Sequence, residues 1–195
     1  MIISLTGFMG CGKSSVGREL SQLLCCPFMD LDQVIEERAG RTIPEIFSQD
    51  GEPAFRQMEL EALQYVVSDT DHEQPTGSMV LALGGGAVMT AECAEIVHSD
   101  TICIYLRASV NTLMEHLSGK TDNRPLLSQK HSLNETSTRH CEESEGRRGN
   151  LELETRIKEL MALRSDTYEK TAHIIIDTDG KSVEAVASEI ISRLG

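Results

Sequence analysis

Apolar positions along this chain follow two rhythms that take turns. Short continuous runs rich in Ile, Leu, Val and Met stand at residues 2–6, 27–30, 79–83, 101–106 and 173–177. Their length and β-branched content predict buried strands. Between them apolar residues recur every three or four positions, as Val16, Leu20, Leu23 and Leu24 do over residues 13–24, which predicts amphipathic helices. The same rhythm gives helices at 32–39, 52–67, 90–98, 151–169 and 182–194. Gly40 closes the helix at 32–39. Thr42 and Glu45 have capping-box spacing and open a short helix through Phe47, and Ser109 caps a helix running to Leu117. Strands separated each time by helices imply a parallel sheet covered on both faces. The reading is a single α/β domain over residues 1–195, three-layer α/β/α, with a central five-stranded parallel sheet.

Two stretches break the rhythm. Residues 69–78 form a polar loop. Residues 128–150 carry only Leu133 and Cys141 as apolar side chains, too few to bury the surface that ordering requires. A segment of this kind in a compact domain predicts a mobile lid, about 118–150, that carries a polar insertion at 128–150.

Composition narrows the class. Hydrophobic residues make up 39 % and aromatics 4 %, so the core is aliphatic. The net charge of −13 removes the basic stripe that nucleic-acid binding needs. No apolar run reaches membrane-spanning length, and no basic leader precedes the first strand, so the expected compartment is the cytoplasm. The six cysteines show no metal-ligand spacing and are expected to be reduced. Cys11 is expected to be the reactive one, because it sits in a glycine-rich loop.

That loop carries the strongest chemical signal. Gly7-Phe8-Met9-Gly10-Cys11-Gly12-Lys13-Ser14 spells G-x-x-x-x-G-K-[ST] directly after a strand and before a helix. Glycines let backbone N–H groups wrap phosphate oxygens at a helix start, Lys13 reaches the β- and γ-phosphates, and Ser14 sits on Mg²⁺. The expected nucleotide contacts are Gly10, Cys11, Gly12, Lys13, Ser14 and Ser15. Ligands of parallel sheets lie beyond the carboxyl ends of the strands. The second strand ends there in Asp30 and Asp32, two carboxylates on the same side of an extended chain, and the third ends in Gly84, Gly85 and Gly86. The first pair suits one carboxylate near a metal and one toward a substrate hydroxyl, although Asp32 as a plain helix cap is the simpler alternative. Arg56 has Glu52 and Glu59 one turn away, and pairing with them on a solvated face is the common fate of a helical arginine.

Taken together, Gly7…Gly12-Lys13-Ser14, Phe28-x-Asp30-x-Asp32, Gly51-Glu52-x-x-Phe55-Arg56-x-x-Glu59, Leu83-Gly84-Gly85-Gly86, Arg124-Pro125-Leu126-Leu127 and Leu160-x-x-x-Arg164-x-x-x-Tyr168 resemble the shikimate kinases. The resemblance covers the chain outside the loop at 69–78 and the insertion at 128–150. It implies a fold of the nucleoside-monophosphate-kinase type and phosphoryl transfer from ATP to the 3-hydroxyl of shikimate. By the same resemblance Lys13, Asp32 and Arg124 are the catalytic residues, and Arg124 also touches ATP. Asp32, Arg56, Gly85, Gly86 and Arg164 bind shikimate from a region at about 30–60 and beyond, and Ser14 and Asp30 hold Mg²⁺. The partners implied are two small molecules, shikimate and ATP, with no nucleic acid, no membrane and a monomeric chain. Where family members carry a base-stacking cation before the lid arginine, only Lys120 is available here. A gluconate or nucleoside-monophosphate kinase is the sibling alternative. A nucleotide switch is the distant one, and it lacks the base-reading Asn-Lys-x-Asp.

Overall fold

The computed structural model describes residues 1–68, 78–117 and 142–195, with side chains of 142–150 excepted. The expectations for Arg124, Lys120, Cys141 and the lid at 118–141 therefore lie outside the described residues, as does the loop at 69–77.

Five strands, β1 (Ile2–Thr6), β2 (Phe28–Asp30), β3 (Met79–Ala82), β4 (Ile102–Arg107) and β5 (Ile174–Asp177), form one sheet in the order β2-β3-β1-β4-β5. Every neighbouring pair is parallel. The period of two within each apolar run divides the side chains between two cores. Ile3, Leu5, Val80, Ile104, Leu106 and Ile176 face one side, and Met79, Leu81, Leu83, Cys103 and Tyr105 face the other. Covering both sides is what lets the strands read as continuous apolar runs, and truncating a core residue such as Ile104 to Ala would cost about 2–5 kcal/mol. Ser4 and Thr6 are the polar exceptions on β1; both are fully buried, and Ser4 Oγ shares a hydrogen bond of 2.7 Å with Thr101 Oγ1.

The helices are α1 (Lys13–Leu23), α2 (Leu31–Ala39), α3 (Ile43–Gln49), α4 (Gly51–Ser68), α5 (Ala91–Asp100), α6 (Val110–Leu117), α7 (Glu142–Thr171) and α8 (Val183–Leu194). Side chains of α1, α6, α8 and the Ile157–Leu160 stretch of α7 enter the first core, and those of α2, α3, α4 and α5, with Tyr168 of α7, the second. Local chemistry sets their starts. The Glu45 carboxylate accepts the Thr42 N–H at 2.8 Å, Ser182 Oγ accepts the Ala185 N–H at 3.3 Å, and Ser109 Oγ accepts the Thr112 N–H at 3.3 Å.

One sequence expectation is corrected here. Helix α7 begins at Glu142, so residues 142–150 are helical rather than part of a structureless insertion. The cause is cooperative. Ile157 and Leu160 anchor α7 in the core, and once a helix is nucleated each further residue gains a hydrogen bond for the single residue it fixes. Apolar content governs burial; it does not by itself stop a helix from running on past its anchor.

Candidate active site

Strand β1 ends at Thr6 and α1 begins at Lys13, so residues 7–12 form the expected strand-to-helix loop. The loop glycines at 7, 10 and 12 all have positive φ. Gly7 has φ 140°, and a Cβ there would lie 2.6 Å from the Leu106 carbonyl oxygen; Gly12 caps α1 with φ 95°. The Lys13 ammonium folds over the loop and donates to the Gly7 and Phe8 carbonyls at 2.9 and 3.0 Å. Ser14 Oγ donates to Asp30 Oδ2 at 2.7 Å, which brings together the two residues expected at the metal. The Cys11 thiol differs from expectation. At 3 % exposure it is part of the core, packed near Gly7, so it is covered rather than presented.

The end of β2 also departs from the sequence reading. Asp30 is the cap of α2 and accepts the Asp32 N–H at 3.2 Å, while Asp32 already lies in the first helical turn. The two carboxylates are therefore not side by side on an extended chain. Asp30 turns to Ser14, and Asp32 turns toward Gly84, past the end of β3. Burial, then the neighbouring Asp30 charge, pushes the Asp32 carboxyl from the ordinary 3.8 up to about 6, against the pull of Lys13.

Each glycine of the triple run makes room for a different group. A Cβ on Gly84 would stand 2.8 Å from Asp32 Oδ1 and 2.9 Å from Glu59 Oε1. On Gly85 it would meet the Met9 nitrogen at 3.1 Å, and on Gly86 the Arg56 guanidinium at 2.7 Å. Arg56 pairs with Glu59 at 2.7 Å and with Glu52 at 3.0 Å, as its helical spacing suggested. The face is not solvated, however: Glu59 is 1 % exposed. Burial opposes the charge on Arg56, but the two glutamates outweigh it and hold its pKa above the ordinary value. Burial also pushes Glu59 upward and, with the Asp32 charge added, prevails over Arg56; Glu59 Oε1 has no hydrogen-bond partner among the described residues.

These groups share one cavity of about 1090 Å³. Gly10, Gly12, Lys13, Ser14 and Ser15 line one part, and Asp30, Asp32, Arg56, Glu59 and Gly84–Gly86 line another. Arg164 is brought close without lining it. It is 7 % exposed and donates from Nη1 to the Gly85 carbonyl at 3.3 Å, and Tyr168 Oη donates to the same oxygen. Sequence reasoning quoted Glu59 and Tyr168 but gave them no place in the site. A signal for Glu59 was present: it falls on the stripe Phe55, Ala62, Leu63 and Val66, where α4 is buried and a carboxylate needs a partner.

The donor set fits a magnesium ion shared with phosphates. Ser14 and Asp30 offer hard oxygens, and among the described residues no cluster of His, Cys, Asp or Glu forms a cage of protein ligands. No described helix is long and apolar enough to cross a membrane.

With this geometry in place, comparison with known proteins is direct. A family model described as "Shikimate kinase" matches residues 9–195. Shikimate kinase of Thermus thermophilus is 38 % identical over 192 residues, covering 98 % of this chain and 89 % of that protein. That of Thermodesulfovibrio yellowstonii is 38 % identical over 191 residues, covering 98 % and 93 %. Among solved structures, shikimate kinase from Acinetobacter baumannii in complex with shikimate superposes with TM-score 0.81 at 30 % identity, covering 99 % of this chain and 92 % of that one. The Aquifex aeolicus shikimate kinase gives TM-score 0.71 at 28 % identity, covering 100 % and 96 %.

Proposed function

The chain belongs to the shikimate kinase family, and from that premise we propose how its own residues divide the transfer of a phosphoryl group from ATP to shikimate. The chain is an ATP-dependent kinase acting on shikimate, with shikimate 3-phosphate and ADP as products. One observation supports the division of labour: a single cavity has a phosphate loop on one wall and buried carboxylates with a guanidinium on the other.

On the nucleotide side, the N–H groups of the loop from Gly10 to Ser15 hold the phosphates. Lys13, now resting on the Gly7 and Phe8 carbonyls, exchanges those contacts for phosphate oxygens. Ser14 and Asp30 hold Mg²⁺, which when bound neutralises charge on the phosphates. Arg124 adds a further cation to the transferring group. On the substrate side, Arg56 and Arg164 grip the carboxylate of shikimate, a task suited to forked donors. Asp32 accepts the hydrogen bond of the reacting hydroxyl and orients it for attack. With its pKa near 6, Asp32 is ionised at neutral pH yet basic enough to take the hydroxyl proton as the bond forms. The Gly85 and Gly86 backbone closes the wall behind the ring. Phosphoryl transfer proceeds mainly by positioning and charge neutralisation, so these contacts supply most of what the reaction requires.

We further propose that residues 1–195 act as one kinase domain, monomeric and cytoplasmic, with the segment at about 118–141, ahead of α7, as the lid that closes over the reacting groups. A coupled ADP-release assay with ATP and Mg²⁺ tests the substrate. Shikimate should support turnover, and gluconate, AMP and CMP should not. Faster turnover with any of those three would overturn the assignment.

A further inference from the structure

His116, in the last turn of α6, is far in sequence from the phosphate loop and belongs to none of the motifs discussed above. Its Nδ1 lies 2.8 Å from the Gly10 carbonyl oxygen, and it lines the same cavity as Gly10, Gly12 and Lys13. A carbonyl only accepts, so Nδ1 carries the proton in this bond. We infer that His116 is a positioning residue for the nucleotide: it holds the Gly10–Cys11 peptide in the orientation the phosphate loop needs. The inference rests on reading residues 7–14 as the site of the triphosphate.

The argument starts from the freedom of that peptide. Gly10 has φ 84°, and a glycine lets the adjoining peptide plane turn over at little cost. Turning it would put the Gly10 carbonyl oxygen where the Cys11 N–H now points, against the Phe8 carbonyl, and so distort the loop that offers its N–H donors to phosphate. Two hydrogen bonds oppose the turn. The Cys11 N–H donates to the Phe8 carbonyl at 3.2 Å, and the Gly10 carbonyl at the other end of the same peptide accepts from His116. The first bond is internal to the loop and moves with it. The second ties the loop to α6, an element outside it.

The tie is firm because its base is buried. Leu117, the next residue of α6, is fully buried, and a Cβ on Gly10 would lie 3.0 Å from its side chain. Consecutive residues of α6 thus hold one glycine, Leu117 by contact and His116 by a hydrogen bond. His116 itself is exposed, so its replacement empties no core and should leave the fold intact.

The test is steady-state kinetics with both substrates varied, on His116→Ala, His116→Phe and His116→Asn, with melting temperatures measured alongside. Phe keeps a ring but has no donor; Asn keeps an N–H donor on a short side chain. We expect KM for ATP to rise about three- to tenfold in Ala and Phe, the span of one net hydrogen bond. The Asn variant should recover most of the loss, while kcat and KM for shikimate stay within about twofold. A Phe variant that binds ATP like the parent would overturn the inference, since the ring and not the donor would then matter. So would an Asn variant as impaired as Ala, an unchanged KM for ATP in Ala, or an equal rise in both KM values. Failure of the underlying reading looks different: Lys13→Ala would keep near-parental turnover whatever the His116 variants do.

Discussion

The two walls of the cavity are built on opposite principles. The phosphate wall is contiguous in sequence and works largely through backbone, with glycines at 7, 10 and 12 at positive φ and one lysine held by the loop's own carbonyls. The substrate wall is assembled from α2, α4, α7 and the turn after β3, and it works through side chains. Its charges, Asp32, Arg56, Glu59 and Arg164, are mostly buried; Arg56 is held by Glu59, and Arg164 by the Gly85 carbonyl. A backbone site gains from conformations only glycine adopts cheaply. A side-chain site gains from burial, which strengthens each charge interaction but leaves any unpaired charge costly.

The largest effect should come from Lys13→Ala. Losing a preorganised cation at the transferring group removes roughly 3–4 kcal/mol of transition-state stabilisation, so kcat should fall at least about a hundredfold, read by ADP release in a variant that melts normally. If a folded Lys13→Ala variant stays close to parental turnover, the phosphate wall is not where the chemistry is done.

Arg56→Ala breaks the comparison in another way, because on this wall binding and stability are tied. Removing the arginine leaves Glu59 buried and unpaired, at a cost of about 3–5 kcal/mol for such pairs. The melting temperature should drop by several degrees, and KM for shikimate should rise at least about tenfold while ATP affinity measured alone hardly changes. An Arg56→Ala variant as stable as the parent would mean that the Glu59 charge is relieved by some other group.

A smaller effect is expected with pH. The folded pKa of Asp32 lies above its ordinary value, so its contribution to stability is present below about 4 and is lost as pH rises through about 6. Catalysis runs the other way, since the carboxylate is the working form. The pH profile of kcat/KM for shikimate should fall on the acid side with a midpoint near 6, and Asp32→Asn should melt at least about 2 °C higher than the parent at pH 7.5 while losing turnover. A profile flat from pH 5 to 8 would show that the ionisation of Asp32 does not matter.

The same contrast explains what the sequence disclosed. The loop at residues 7–14 was legible because its chemistry is local: spacing, a strand before and a helix after carry it whole. The five strands and their two covered faces were legible for the same reason. The substrate wall was only partly so. Asp32 read as a neighbour of Asp30 on an extended chain because the helix starts one residue earlier than expected, a boundary set by the Asp30 cap. Arg56 read as a surface ion pair because spacing alone gives the pair, while its burial depends on the stripe of Phe55, Ala62, Leu63 and Val66 that carries Glu59 inward. The linkage of Arg164 and Tyr168 to the Gly85 carbonyl crosses about 80 residues of sequence, and no period or cap reports it.

Gly84 is where the account is most exposed. It lies at the meeting point of Asp32 and Glu59, its backbone needs no left-handed conformation, and a methyl group there would press on both carboxylates at once. Calorimetric titration of Gly84→Ala with each substrate alone is therefore the direct test of two separable walls in one cavity. Shikimate should bind at least about tenfold more weakly, with ATP within about twofold of the parent. Equal weakening of both ligands, or shikimate binding left intact, would contradict the division drawn here.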